Sequence, residues 1–216
     1  SSILPNLYNY ILEQSKNFSQ EALNRHAATM RMRGRPKVVL ARTYEEAQKL
    51  YDKYSDNTLG VISDARFPLK SAAKAFGNEV MPEEKPKHRT DTFGREKCPD
   101  AGLQLFRYIR KNDPFVPLII ESSESENRAK AEAEGFRFVD KNSKKMSVDL
   151  RRLMEEHMGF GDFIFRDPKT HEEIMRIHSL KELQDNIFNI PNDSMLYHIS
   201  RNHMSRWLCA RAIFPV

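Results

Sequence analysis

Four short runs dominated by apolar residues, at 38–41, 59–63, 116–120 and 136–139, alternate with segments of helical period. Continuous apolar runs of this length are the mark of strands buried on both faces, and their alternation with helices predicts a parallel sheet. The intervening helices carry their own signals. Thr43 with Glu46, and Ser123 with Glu126, have the spacing of capping boxes. Ala47, Leu50, Tyr51 and Tyr54 fall on one face of the first, and Leu103, Phe106 and Ile109 line a helix ending near Asn112-Asp113-Pro114. Ahead of these elements, residues 3–32 read as helical until Gly34 and Pro36 break the pattern. The predicted order is helix, then β-α-β, an insertion, and α-β-α-β-α.

The insertion, about 68–100, is rich in Lys, Arg, Glu and Asp and is interrupted by Pro82, Pro86 and Pro99. After Gly159 the pattern changes. Phe163-Ile164-Phe165 and Ile174-Met175-Arg176-Ile177 flank Asp167-Pro168-Lys169-Thr170 and predict a hairpin. Ser179 with Glu182 caps a helix, and a second helix runs from Asn192 to near Arg211. We therefore expect an α/β domain over 1–159 and a hairpin plus two-helix extension over 160–216.

In a parallel sheet all strand carboxyl ends lie along one edge, where sites form. Asp64 follows the run at 59–63, Ser122 and Ser123 follow the run at 116–120, and Lys141 follows the run at 136–139. A carboxylate that attacks phosphorus, with a hydroxyl and an ammonium to bind the phosphoryl oxygens, is a phosphoryl-transfer set. Such chemistry normally employs magnesium to offset charge. For Ser123 the capping box predicts an N-cap.

Ile62-Ser63-Asp64 has Pro68 downstream and Gly102 ahead of the next helix. Pro117-Leu118-Ile119-Ile120-Glu121-Ser122-Ser123 follows, and then Gly135 with Phe138-Val139-Asp140-Lys141. In this order the pieces resemble the receiver domain of two-component response regulators, over roughly residues 3–158. The resemblance implies a flavodoxin-like, doubly wound parallel sheet. It makes Asp64 the phosphoacceptor, Ser122 the hydroxyl that follows the phosphoryl group and Lys141 its cationic partner. It places Mg2+ on Asp64 and the backbone carbonyl of Arg66, and implies a histidine kinase or phosphotransfer protein as partner in a bacterial cytoplasm. Three features depart from the pattern: the family's first strand with its acidic pair does not precede the helix at 3–32, the 68–100 segment is long, and Asn142 stands where proline is usual. The first of these predicts weak or absent magnesium binding.

Three further stretches are similar to the amino-terminal regulatory part of bacterial phosphoenolpyruvate-synthase-like proteins, which carry receiver modules ahead of a pyruvate-phosphate-dikinase-type domain. They are Met32-Arg33-Gly34-Arg35-Pro36-Lys37, Gly159-Phe160-Gly161-Asp162-Phe163-Ile164-Phe165-Arg166-Asp167-Pro168 and Ser200-Arg201-Asn202-His203-Met204-Ser205-Arg206-Trp207. That likeness implies a regulatory module, with no enzymatic activity of its own, leading into a catalytic part. A degenerate, unphosphorylated receiver fold serving as a protein-interaction or dimerisation module is the alternative.

Other classes fit less well. The net charge of +5 is dispersed. Arg33-Gly34-Arg35-Pro36 resembles the core of an AT-hook, a minor-groove DNA motif, but abuts a predicted strand. Cys98 and Cys209 are expected as free thiols. His198 and His203, five apart, would stand about 140° apart on one helix, the wrong geometry for a shared metal. No apolar run has the length of a membrane span, no Walker loop or GxGxxG occurs, and Trp207 and Leu208 are expected as core or interface anchors.

Overall fold

The computed structural model describes residues 3–22, 24–68 and 97–213. By contact, the chain forms two units, one of residues 39–146 and one of residues 1–38 with 147–216.

The unit of residues 39–146 is a mixed α/β structure. Strands β1 (Val61–Asp64), β4 (Leu118–Ser122) and β5 (Arg137–Asp140) form a parallel sheet in the order β1-β4-β5. Strand β4 lies in the middle and all five of its residues are buried, the apolar Leu118, Ile119 and Ile120 as such a run requires and the polar Glu121 and Ser122 with them. Leu118 and Ile120 point into a core completed by Tyr51 of α3 (Tyr44–Tyr54), Leu103, Leu105, Phe106 and Ile109 of α4 (Ala101–Asn112), and Ala131 of α5 (Glu126–Ala133). Phe106 and Phe136 meet edge to face, 5.3 Å between centroids. Two-residue strands β2 (Phe67–Pro68) and β3 (Lys97–Cys98) pair antiparallel. The predicted insertion lies, apart from its two ends, outside the described residues.

The box at Thr43 forms as predicted: its Oγ1 accepts the Glu46 N–H at 3.3 Å, and the Glu46 carboxylate accepts the Arg42 N–H at 2.7 Å. Two expectations fail here. Residues 38–41 form no strand, and Val39 and Leu40 are 59% and 52% exposed. An apolar run becomes a strand only when a neighbour takes up its backbone hydrogen bonds, and among the described residues the one strand paired with β1 is β4. Ser123 is not the N-cap of α5. Its neighbour Ser122 turns the chain instead, its Oγ accepting the Glu124 N–H at 3.1 Å and Asn127 Nδ2 at 2.9 Å.

In the other unit, the predicted helix over 3–32 is two helices, α1 (Ile3–Gln20) and α2 (Arg25–Arg33). Asn24 interrupts it because its side chain caps the second helix, accepting the Ala27 N–H at 2.8 Å. Helix α6 (Met146–His157) precedes the predicted hairpin, β6 (Phe163–Arg166) with β7 (Glu173–Ile177). Helix α7 (Leu180–Asn186) starts at the predicted Ser179 box, with Glu182 N–H to Ser179 Oγ at 3.2 Å. The last predicted helix is split into α8 (Asn192–Ile199) and α9 (His203–Ala210), with Asn202 at φ +57° between them. Phe163, Phe165, Ile177, Ile190 and Trp207 form one buried apolar cluster.

Candidate functional site

Parallel pairing sets the strand ends level. Asp64 lies opposite Glu121, and Ser122 opposite Asp140. Asp64, Glu121, Ser122 and Lys141 therefore share the carboxyl edge of the sheet. The backbone beside Asp64 is held from one side by α4: the Gly102 N–H donates to Ala65 O at 3.1 Å. A Cβ on Gly102 would lie 2.4 Å from the Asp64 carbonyl oxygen, so only glycine permits this approach.

The Lys141 ammonium is the hub of the edge. Its Nζ is 2.7 Å from Asp64 Oδ2 and 3.6 Å from Glu121 Oε1. Asp64 Oδ1 accepts the Arg66 N–H at 3.4 Å. The Asp64 side chain keeps 40% exposure and Lys141 28%, whereas Glu121 keeps 10%. Glu121 Oε2 is buried with no hydrogen-bond partner. Burial pushes the Glu121 carboxyl above its ordinary pKa; Lys141 pulls it back and the Asp64 charge adds to the rise.

Loops after the strands are tied to one another. Arg66 and Glu124 form an ion pair at 2.7 Å, joining the loop after β1 to the loop after β4. Asn142 donates through Nδ2 to Ser123 O at 2.9 Å, and its N–H reaches Asp140 Oδ1 at 2.8 Å. Asn142 thus pins the loop after β5 to the loop after β4, with a backbone donor that proline lacks.

The structure brings Asp64 and Lys141 into direct contact, as expected from their strand ends. Ser122 is at the same edge, but its hydroxyl already serves the turn into α5. Arg66 is adjacent through its backbone. Glu121 escaped the sequence reading, although a signal was present: a carboxylate ending a fully apolar run at the middle of a sheet is rarely buried without a partner. For magnesium, the oxygen chemistry of Asp64 and the Arg66 carbonyl suits a hard cation. Among the described residues no group of three or more His, Cys, Asp or Glu is placed to hold a metal, and an ammonium faces Asp64 Oδ2.

Three other predicted features are resolved elsewhere. His198 and His203 do not sit on one helix. The break at 200–202 brings their Nδ1 atoms to 3.0 Å. His198 Nε2 accepts the Arg166 N–H at 3.0 Å, so the neutral ring carries its proton on Nδ1 and donates it to His203. Both rings are held neutral, with pKa values lowered to about 4, chiefly by burial. A His198 Nδ1 that carries a proton is no metal ligand. Arg33 ends α2 and Arg35 Nη1 donates to Met32 O at 2.8 Å, a folded arrangement unlike an extended hook. Cys98 and Cys209 are free thiols. Among the described residues no helix is long and apolar enough to cross a membrane.

No known protein family, curated protein or solved structure matches the chain.

Proposed function

We propose that the unit of residues 39–146 is a receiver-like, flavodoxin-like signalling module with Asp64 as its phosphoacceptor. The observation that supports this reading is the Asp64–Lys141 ion pair at 2.7 Å, at the carboxyl edge of a parallel sheet. In the proposed step a carboxylate oxygen of Asp64 forms an O–P bond. The donor's P–O bond (acetyl phosphate) or P–N bond (phosphohistidine of a kinase or phosphotransfer protein) breaks, and the leaving group departs with the electron pair. Lys141 neutralises the phosphoryl oxygens, and Ser122 offers its hydroxyl proton while accepting from the turn. Asp64 and the Arg66 carbonyl would hold Mg2+, which supplies further charge neutralisation. The new charge at the edge would then bear on the loops tied by Arg66–Glu124 and Asn142, changing the face a partner or an attached pyruvate-phosphate-dikinase-like domain meets.

A second reading, an unphosphorylated interaction or dimerisation module, is favoured by one observation. Residues 38–41 are apolar, unpaired in any strand and largely exposed at Val39 and Leu40.

Beryllofluoride, which mimics an aspartyl phosphate, separates the two. In the presence of Mg2+ it should shift backbone amide resonances of residues 64–67, 122–124 and 141–142 in the wild type and leave Asp64→Asn unchanged. Identical responses of the two proteins reject the phosphoacceptor.

A further inference from the structure

One of the two oxygens of the proposed phosphoacceptor is covered by the protein. Asp64 Oδ2 is 2.7 Å from the Lys141 ammonium, and an oxygen held that closely by a cation is a poor nucleophile. For Oδ2 to react, or for Lys141 to reach arriving phosphoryl oxygens, the ammonium has to move off it. Leaving for water would remove the positive charge at the moment phosphoryl oxygens arrive.

We propose that Glu121 is a positioning residue for Lys141: it offers the ammonium a second carboxylate, so that Asp64 is released for reaction while the cation stays at the sheet edge. This rests on the reading of Asp64 as phosphoacceptor.

Three observations carry it. Glu121 is opposite Asp64 in the register of neighbouring strands, so the two carboxylates flank one position by the geometry of the sheet. Glu121 Oε1 is 3.6 Å from Lys141 Nζ; a displacement on the order of 1 Å turns that contact into a charge-assisted hydrogen bond. Glu121 Oε2 is buried and has no partner, in a side chain 10% exposed. A buried carboxylate left without a donor is costly, so Glu121 stands ready to take the ammonium when it leaves Asp64. Asp64, at 40% exposure, is solvated and gives the ammonium up at lower cost. The rise in the Glu121 carboxyl's pKa has the same physical origin, burial.

The first test needs no phosphoryl chemistry. In protein labelled with 15N-lysine, the Lys141 Nζ signal is assigned by its loss in Lys141→Met. In Asp64→Asn its ammonium protons should still exchange more slowly than those of exposed lysines, because Glu121 holds them. In Asp64→Asn/Glu121→Gln they should exchange as fast as the exposed ones. Equal, fast exchange in the single and the double variant overturns the proposal. The second test reads rate. Glu121→Gln, which keeps shape and removes charge, should lower the saturating rate of acetyl-phosphate labelling three- to tenfold, leave the half-saturating concentration unchanged, and be partly rescued by Glu121→Asp. An unchanged saturating rate, or a loss confined to half-saturation, also overturns it. If the wild type takes no label at all, the phosphoacceptor reading fails, and the exchange experiment alone decides whether Glu121 holds Lys141.

Discussion

Replacing Gly102 by alanine should damage the Asp64 edge from behind. The added Cβ would meet the Asp64 carbonyl oxygen at 2.4 Å, Ile120 Cδ1 at 3.0 Å and Ala65 Cα at 3.1 Å. Ordinary carbon contacts need about 3.5 Å, so helix α4 and the β1 end must separate by roughly 1 Å. Two of the three atoms are backbone and cannot swing aside. Overpacking of this kind costs about 1–3 kcal/mol. Alanine's better helix propensity returns about 0.5–1 kcal/mol at most, and less at the second residue of a helix. The net expectation is a loss of about 1–2 kcal/mol, read as a lower urea midpoint with an unchanged slope. The same displacement stretches the 2.7 Å Asp64–Lys141 contact, so beryllofluoride affinity should fall together with stability. A Gly102→Ala protein as stable as the wild type, within about 0.5 kcal/mol, would refute the close approach that positions Asp64.

Four further outcomes are expected. Lys141→Met leaves two facing carboxylates, one of them buried, and should destabilise the protein at pH 7 by about 1–3 kcal/mol, an exposed-pair discount on the buried-pair range. Because Glu121, its pKa raised by burial, then favours its neutral form, the variant's stability should recover as pH falls, which urea titrations at several pH values will read. His198 and His203 are neutral in the fold, with pKa about 4 against 6.5. The unfolded chain binds protons first as pH falls, so their contribution is complete above pH 6.5 and is lost between about 6.5 and 4. His203→Asn should flatten that decline in a thermal melt series. Ser122→Ala removes the acceptor for Glu124 and Asn127 and should cost about 1 kcal/mol in urea unfolding. Trp207→Phe removes the 2.9 Å bond from Nε1 to Gly161 O and should cost a similar amount, with no change in beryllofluoride binding.

The legibility of this fold depended on what each residue needed. Strand β4 could be read because the apolar run at 116–120 has few other uses. The run at 38–41 has the same composition, but a strand also needs a neighbour, and no local pattern supplies one. Capping boxes at Thr43 and Ser179 formed because both partners are adjacent in sequence. At Ser123 the same spacing lost to a competitor one residue earlier, since Ser122 Oγ reaches both a backbone N–H and Asn127. Asp64 and Lys141 were legible as a pair because parallel strands must end on one edge. Glu121 was not, because its place opposite Asp64 depends on register, which one sequence leaves open. The contact of His198 with His203 was hidden for a similar reason: it exists only because Asn202 adopts a left-handed conformation and ends the helix between them.

The central claim, that Asp64 accepts a phosphoryl group, is tested most directly by trapping the adduct. After incubation with acetyl phosphate and Mg2+, borohydride reduces an aspartyl phosphate to homoserine, which peptide mass spectrometry locates. Homoserine at position 64 in the wild type, absent from Asp64→Asn, is the predicted result. No homoserine, or homoserine at another carboxylate with position 64 intact, would contradict the account.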